Sequence, residues 1–117
     1  MERNKLRVTK NGIKKMPIKS NARYPFTTWA VSGAPKDAGV YALWQNEELI
    51  YYGCAHGEGA SIHSRLLDHL SGKDPCTARA THYAWELCRD PVRRERELLR
   101  EHEVQAKRLP RCNGRAA

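Results

Sequence analysis

Two short runs of strand-forming residues, separated by a polar turn, most constrain how this chain can fold. Val40–Trp44 and Leu49–Tyr52 are rich in aromatic and β-branched residues, and Gln45–Glu48 between them is polar. This arrangement predicts a β-hairpin. Because alternate side chains of a strand point to opposite faces, Tyr51 and Tyr52 should lie on opposite sides of the sheet. Only one of them can therefore enter a common site.

Helix and strand signals continue after the hairpin. The sequence predicts a helix over Ser61–Leu70, a third strand over Thr81–Cys88, and a second helix from Asp90 to about Lys107, with Pro91 in its first turn. We therefore expect an α/β (α+β) domain in which a three-stranded, mainly antiparallel sheet is flanked by helices.

An aromatic stretch precedes the hairpin. Tyr24–Val31 ends before the Gly-Pro turn at Ser32–Pro35, and its Tyr24, Phe26 and Trp29 are expected to cover part of the core.

Positive charge is concentrated at the amino terminus. Residues 1–24 contain eight Lys or Arg and one acidic residue, whereas the remaining residues contain thirteen basic and twelve acidic ones. We divide the chain into a basic, partly flexible arm, residues 1–24, and a folded domain, residues 25–117. The arm is either a solvated tail or a nucleic-acid-binding segment. The candidate binding residues are Lys5, Arg7, Lys10, Lys14, Lys15 and Lys19.

Composition limits the class of protein. A chain of 117 residues forms one small domain, and neither a long apolar run nor a cleavable leader is visible, so we expect a cytoplasmic protein. The four cysteines include no Cys-x-x-Cys pair and are expected to be reduced. A zinc site drawn from Cys54, His56, Cys76, His82 and Cys88 is the alternative, although these spacings match no common zinc pattern.

Helical spacing brings two polar side chains together. Arg65 and His69 are four residues apart, so both can face the same substrate. On the second helix, Glu101 lies three residues after Leu98, at the margin of the inward stripe, where a carboxylate can reach a cleft.

Two tripeptides and three later residues give the chain a recognisable order. Gly39-Val40-Tyr41 and Tyr51-Tyr52-Gly53 are followed by the Arg65 helix, the Glu101 helix and Pro110-Arg111-Cys112-Asn113. In this order the chain resembles the GIY-YIG nuclease family over about residues 38–113. His69 is similar to a histidine that some homing-type and restriction-type members carry. The interval from Gly53 to Arg65 is longer than in compact members.

The resemblance implies a metal-dependent endonuclease that hydrolyses DNA phosphodiester bonds. Glu101 would hold one divalent cation, Mg²⁺ or Mn²⁺, because it precedes Asn113 by twelve residues as the family's glutamate does. Arg65 would neutralise charge on the phosphate, and Asn113 would brace the site. The implied catalytic residues are Tyr41, Tyr51, Arg65, His69, Glu101 and Asn113.

The identity of the proton acceptor stays open. A tyrosine with its ordinary pKa of about 10 is a poor base at neutral pH unless the metal and Arg65 lower its pKa, or unless it only orients the water. We favour Tyr51 as the base, assisted by Tyr41 or His69. His69 alone is the alternative, since a free histidine has a pKa of about 6.5.

Other functions fit the same residues. The fold also suits a nucleic-acid-binding module that cleaves nothing, or a small protein whose arm binds RNA or an acidic protein. The family resemblance is compatible with repair, recombination, mobile-element and restriction roles, and with single-stranded, duplex or branched substrates. A homodimer or an accessory protein would allow cleavage of both strands of a duplex.

Overall fold

A four-stranded antiparallel sheet, with helices packed on both faces, organises the chain. The computed structural model describes residue 18 and residues 22–114. The strands are β1 Tyr24–Pro25, β2 Gly39–Gln45, β3 Glu48–Ala55 and β4 His82–Leu87, in the order β1-β4-β2-β3. The helices are α1 Thr28–Val31, α2 Ile62–Leu70 and α3 Pro91–Ala106, with a 3₁₀ turn at Thr77–Arg79. The α+β class is confirmed, but the predicted number of three strands is wrong.

The extra strand is β1, within the aromatic stretch. Tyr24 pairs with Tyr83 and Pro25 with His82, at the outer side of β4. A strand of two residues is too short to show the alternation of buried and exposed side chains by which strands are recognised in a sequence. Pro25 also lacks the backbone N–H that a longer series of inter-strand hydrogen bonds requires. The stretch then turns into α1, whose Val31 is buried while Trp29 lies almost wholly in solvent. The expectation that Trp29 covers the core is therefore wrong.

The predicted hairpin is formed by β2, an inner strand of the sheet, and β3, an edge strand. β2 pairs with β3 on one side and with β4 on the other, and Asn46 in the connecting turn has a positive φ of 57°. Asparagine tolerates this left-handed conformation better than most residues do, which allows a tight connection. The hairpin therefore supplies the strand on which the rest of the sheet is built.

Alternation along the strands divides the core into two clusters. One cluster packs α1 and α2 against the sheet and includes Tyr41, Leu43 and Ile62; the other packs α3 and includes Trp44 and Leu98. We call the corresponding sides of the sheet the α2 face and the α3 face.

Both long helices begin with a side-chain cap. The Ser61 hydroxyl accepts the Ser64 N–H at the start of α2, and the Asp90 carboxylate accepts the Arg93 N–H at the start of α3, where Pro91 follows. In the described part of the chain, no helix is long and apolar enough to cross a lipid bilayer.

One residue upstream of β1 also belongs to the packed domain. Ile18 is buried in the α3-face cluster, and its N–H donates to the Glu86 carboxylate at 3.2 Å. Arg94 on α3 donates to both oxygens of the same carboxylate, at 2.8 and 3.2 Å. Glu86 is only 3% exposed, so these partners satisfy a charge that would otherwise be buried alone. They connect Ile18, β4 and α3.

The expectation of four reduced cysteines is wrong for one pair. Cys76, just before the 3₁₀ turn, forms a disulfide with Cys112, whose N–H donates to Ile50 on β3 at 2.8 Å. Spacing in the sequence gave no sign of this pair because 36 residues separate the two cysteines. Cys54 and Cys88 are not in a disulfide.

Opening this bridge should lower the free energy of unfolding. Cys76→Ser frees a loop of 36 residues in the unfolded chain, for which we expect a loss of about 2–4 kcal/mol in urea denaturation. Cys88→Ser, which leaves the bridge intact, is the control. An unfolding midpoint of the wild-type chain that is the same with and without reductant would contradict this expectation.

Candidate active site

Two tyrosines of the hairpin share the α2 face. Tyr41 lies opposite Gly53, and Tyr51 lies opposite Leu43, so strand alternation places both rings on one side. Their ring centroids are 6.1 Å apart. Tyr52 instead packs in the α3-face cluster. The prediction that Tyr51 and Tyr52 lie on opposite faces of the sheet is confirmed, and Tyr51 is the one on the face of Tyr41.

Gly53 makes room for this tyrosine pair. A Cβ atom at position 53 would lie 2.5 Å from the Cζ and hydroxyl oxygen of Tyr41 and 2.8 Å from Cε2 of Tyr51. These distances are well below van der Waals contact. The glycine that ends Tyr51-Tyr52-Gly53 therefore lets the Tyr41 ring lie over β3.

His69 closes the cluster from α2. Its ring centroid is 5.6 Å from that of Tyr41 and 5.1 Å from that of Tyr51, and its Nε2 is hydrogen-bonded to the Tyr41 hydroxyl at 2.9 Å. Its other nitrogen, Nδ1, is 2.8 Å from the Thr77 hydroxyl oxygen. His69 is thus held at both ring nitrogens.

The Thr77 contact suits the neutral tautomer of His69 that carries its proton on Nδ1. Thr77 is fully buried, and its hydroxyl oxygen is 3.4 Å from the Asp74 carbonyl, to which it can donate its single hydrogen. In this tautomer the hydroxyl oxygen accepts from Nδ1–H. Nε2 is then the acceptor for the Tyr41 O–H, and the imidazole can receive a proton from the tyrosine.

Burial sets the protonation states of the three rings. It raises the pKa of Tyr41 strongly, and burial together with the charge of Glu95 raises the pKa of Tyr51. Burial also lowers the pKa of His69 below its usual 6.5. At neutral pH the chain alone therefore holds two protonated phenols and a neutral imidazole, which makes His69 the most accessible proton acceptor.

Arg65 provides the positive charge at this cluster. Its side chain is 47% exposed, and its guanidinium forms a 3.9 Å ion pair with Asp68 of the same helix. Its charge lowers the pKa of Tyr41 and of His69, although burial outweighs this effect at Tyr41. The predicted proximity of Arg65 to His69 fits this effect, and the guanidinium remains accessible to a phosphate.

Two carboxylates of α3 lie in different surroundings. The charge of Glu95 raises the pKa values of Tyr41 and Tyr51, and its Oε1 accepts from the Cys54 thiol at 3.6 Å. Burial raises the pKa of Glu95 itself, and burial followed by the charge of Glu95 raises the pKa of Cys54 to about 11. The charge of Glu101 acts on Tyr52; Tyr52 belongs to the α3-face cluster, and Cys54 packs against that same cluster, so both carboxylates interact with residues of the α3 face.

Asn113 binds the backbone of β3 beside the cluster. Its Oδ1 accepts the Tyr52 N–H at 2.8 Å, and its Nδ2 donates to the Tyr52 carbonyl at 2.9 Å. This pair of bonds satisfies backbone groups on the outer side of β3. The structure thus gives Asn113 a bracing contact with the strand that carries Tyr51.

The six predicted catalytic residues therefore form two groups. Tyr41, Tyr51 and His69 are in mutual contact, with Arg65 beside them, whereas Glu101 and Asn113 interact with Tyr52. The candidate binding residues Lys5, Arg7, Lys10, Lys14, Lys15 and Lys19 lie outside the described residues.

Sequence reasoning missed Thr77 and Glu95. Thr77 follows the polar connection after α2, and no periodic pattern marks it as buried. Glu95 is one of several charged residues on α3, and its distinguishing signal is its spacing from Leu98, which equals that between Leu98 and Glu101. Sequence spacing alone therefore could not separate the two glutamates.

The donor set suits a cation that binds few protein ligands. Among residue 18 and residues 22–114, no three His, Cys, Asp or Glu side chains form a metal-binding group. The zinc alternative gains no support from these residues. Mg²⁺ and Mn²⁺ usually keep several waters and bind substrate phosphates as well, so one or two protein carboxylates are enough to hold them. Glu95 or Glu101 could supply such a carboxylate.

Comparisons with known proteins give no relative. No family model, curated protein or solved structure matches the chain.

Replacing Gly53 tests whether the tyrosine pair depends on the space above β3. Gly53→Ala should lower the free energy of unfolding by about 1–3 kcal/mol, because its Cβ would overlap the Tyr41 ring. Gly33→Ala is the matched control, since its nearest contact is an ordinary 3.6 Å. Equal urea midpoints for the two variants would show that the ring moves away at no cost.

Proposed function

We propose that this chain is a GIY-YIG-type endonuclease that hydrolyses phosphodiester bonds of DNA. The observation that carries the proposal is the Tyr41–Tyr51–His69 cluster, in which the Tyr41 hydroxyl is hydrogen-bonded to a neutral histidine. A phenol that can pass its proton to a base while it faces an incoming water is suited to hydrolysis. The motif order in the sequence supports the same activity.

The proton path runs through two side chains. Water bound at the tyrosine pair would give a proton to Tyr41 as Tyr41 gives its own to Nε2 of His69. Thr77 keeps Nε2 available by accepting Nδ1–H. Tyr51, whose pKa is raised by burial and by Glu95, would orient the water rather than accept its proton. This path replaces our sequence-based preference for Tyr51 as the base.

Arg65 would bind the scissile phosphate. A guanidinium keeps its charge at all relevant pH values and offers two parallel N–H donors to phosphate oxygens. Its exposed position beside Tyr41 and His69 suits this role. Asn113 would act as a positioning residue, because it binds the β3 backbone at Tyr52 and so fixes the neighbouring Tyr51.

A carboxylate of α3 would hold the cation. When bound, a divalent cation polarises the phosphate and stabilises the leaving oxygen. Motif spacing favours Glu101, whereas the electrostatic environment of the tyrosines favours Glu95. We take Glu95 as the stronger candidate because it is the carboxylate whose charge acts on both tyrosines.

Cleavage assays with paired variants test the proposal. With millimolar Mg²⁺ or Mn²⁺, we expect the wild-type protein to cleave labelled DNA. Arg65→Ala and Glu95→Gln should each lower kcat by roughly 10²- to 10³-fold, as is typical when a group that stabilises transition-state charge is removed. Glu101→Gln is the matched control, since it removes the same charge six residues further along the same helix.

Three outcomes separate the alternatives. Loss of activity in Glu101→Gln but not in Glu95→Gln would restore the assignment made from motif spacing. Wild-type protein that binds DNA or RNA but cleaves neither, with magnesium, manganese or chelator, would overturn the nuclease proposal in favour of a non-catalytic binding module. Cleavage that Arg65→Ala does not change would remove Arg65 from the site.

The pH dependence of cleavage tests the role of His69. Because burial lowers the pKa of His69, the imidazole stays neutral further into the acid range than a free histidine does. Activity should therefore decline on acidification with a midpoint below about 6.5. His69→Gln keeps a polar group near Tyr41 but cannot take up a proton, so its kcat should be low and the decline absent. An unchanged pH profile in His69→Gln would exclude histidine as the acceptor.

A further inference from the structure

Trp29 is held in solvent by a rigid turn. Its side chain is 86% exposed, yet the residues around it in α1 are fixed. The Thr27 hydroxyl accepts the Ala30 N–H, Val31 is fully buried, and the Tyr83 hydroxyl donates to the Ala30 carbonyl at 2.9 Å. The indole is therefore displayed on an anchored backbone rather than on a loose loop.

A second aromatic ring lies on the same side of the sheet. Tyr24 is 36% exposed, and its ring centroid is 5.4 Å from that of Tyr83, whose hydroxyl binds α1. Val31 of α1 and Tyr83 belong to the same cluster as Tyr41, so α1 and the Tyr24–Tyr83 ring contact lie on the α2 face, as the candidate active site does.

The positive charge of the chain favours a negatively charged ligand. The net charge is +8, and the eight basic residues of the arm directly precede β1 and α1 in sequence. Exposed aromatic rings together with excess cationic charge are typical of surfaces that bind single-stranded nucleic acid, where bases stack on rings and cations follow the phosphates. A protein partner with an apolar face would not make use of this charge.

We propose that Trp29 is a stacking platform for an unpaired base of the nucleic-acid substrate, outside the cleavage site. The proposal rests on the proposed nuclease function, and it narrows the substrate class to nucleic acid with a single-stranded segment. Duplex bases present only their edges to a protein, so a flat indole has nothing to stack on there.

Binding is measured in chelator, so that no cleavage occurs. Oligo(dT) and oligo(rU) should quench the fluorescence of the exposed Trp29, because Trp44 is buried and Trp85 is half-buried. Trp29→Ala should abolish this quenching and weaken binding of both oligonucleotides by about 5- to 100-fold, whereas Trp29→Phe, which keeps a ring, should stay within about threefold of wild type. Affinity for a blunt duplex should change less than about twofold.

Val104→Ala is the matched control, since it removes exposed apolar surface from α3 on the other face and should leave binding unchanged. Unchanged single-strand binding in Trp29→Ala, or an equal loss of affinity for duplex, would overturn the stacking proposal.

Cleavage in magnesium is measured separately. Wild-type protein that stacks on oligo(dT) but cleaves nothing would overturn the nuclease function alone, and cleavage with an unaffected Trp29→Ala would overturn stacking alone.

Discussion

The register between β2 and β3 is the constraint on which the candidate site depends. Tyr41 lies opposite Gly53, so the Tyr41 ring can cross β3 and approach both Tyr51 and His69. A slip of β3 by one residue would move Tyr51 to the α3 face, away from Tyr41, and would bring a side chain into the space that Gly53 leaves. Gly39 fixes the start of β2 in a similar way, because a Cβ there would overlap the Glu86 carbonyl oxygen. The two glycines of the motifs are thus packing requirements that position the chemistry.

The end of the described chain strengthens the same strand. The Cys112 N–H binds the Ile50 carbonyl, and Asn113 binds both backbone groups of Tyr52, so the residues on either side of Tyr51 are held in place. The Cys76–Cys112 disulfide connects this segment to Cys76, which is followed directly by Thr77. Thr77 orients His69 through its hydrogen bond to Nδ1. One covalent bond therefore joins the segment that holds the Tyr51 strand to the segment that orients His69.

Local patterns in the sequence were sufficient for β2, β3, β4, α2 and α3 and for the faces of the tyrosines, but not for β1 and α1. Strand alternation separated Tyr51 from Tyr52, and helix signals beginning at Ser61 and Asp90 located both long helices, because each signal acts over a few residues. The partners that come from distant parts of the chain had no such signal. Thr77 and Cys112 contact the site through tertiary packing, and the exposure of Trp29 depends on where a one-turn helix docks.

The choice between the glutamates illustrates why helix spacing alone was insufficient. Glu95 and Glu101 are six residues apart, which is about 120° around a helix and about 9 Å along it, so both cannot face one point at the sheet edge. The rotation of α3 decides which one does, and Arg94 fixes that rotation through its two bonds to the buried Glu86 of β4. Because Arg94 is directed at β4, Glu95, the next residue of α3, lies beside Cys54 of β3. A buried ion pair on the α3 face thus determines which carboxylate can act on the tyrosines of the α2 face.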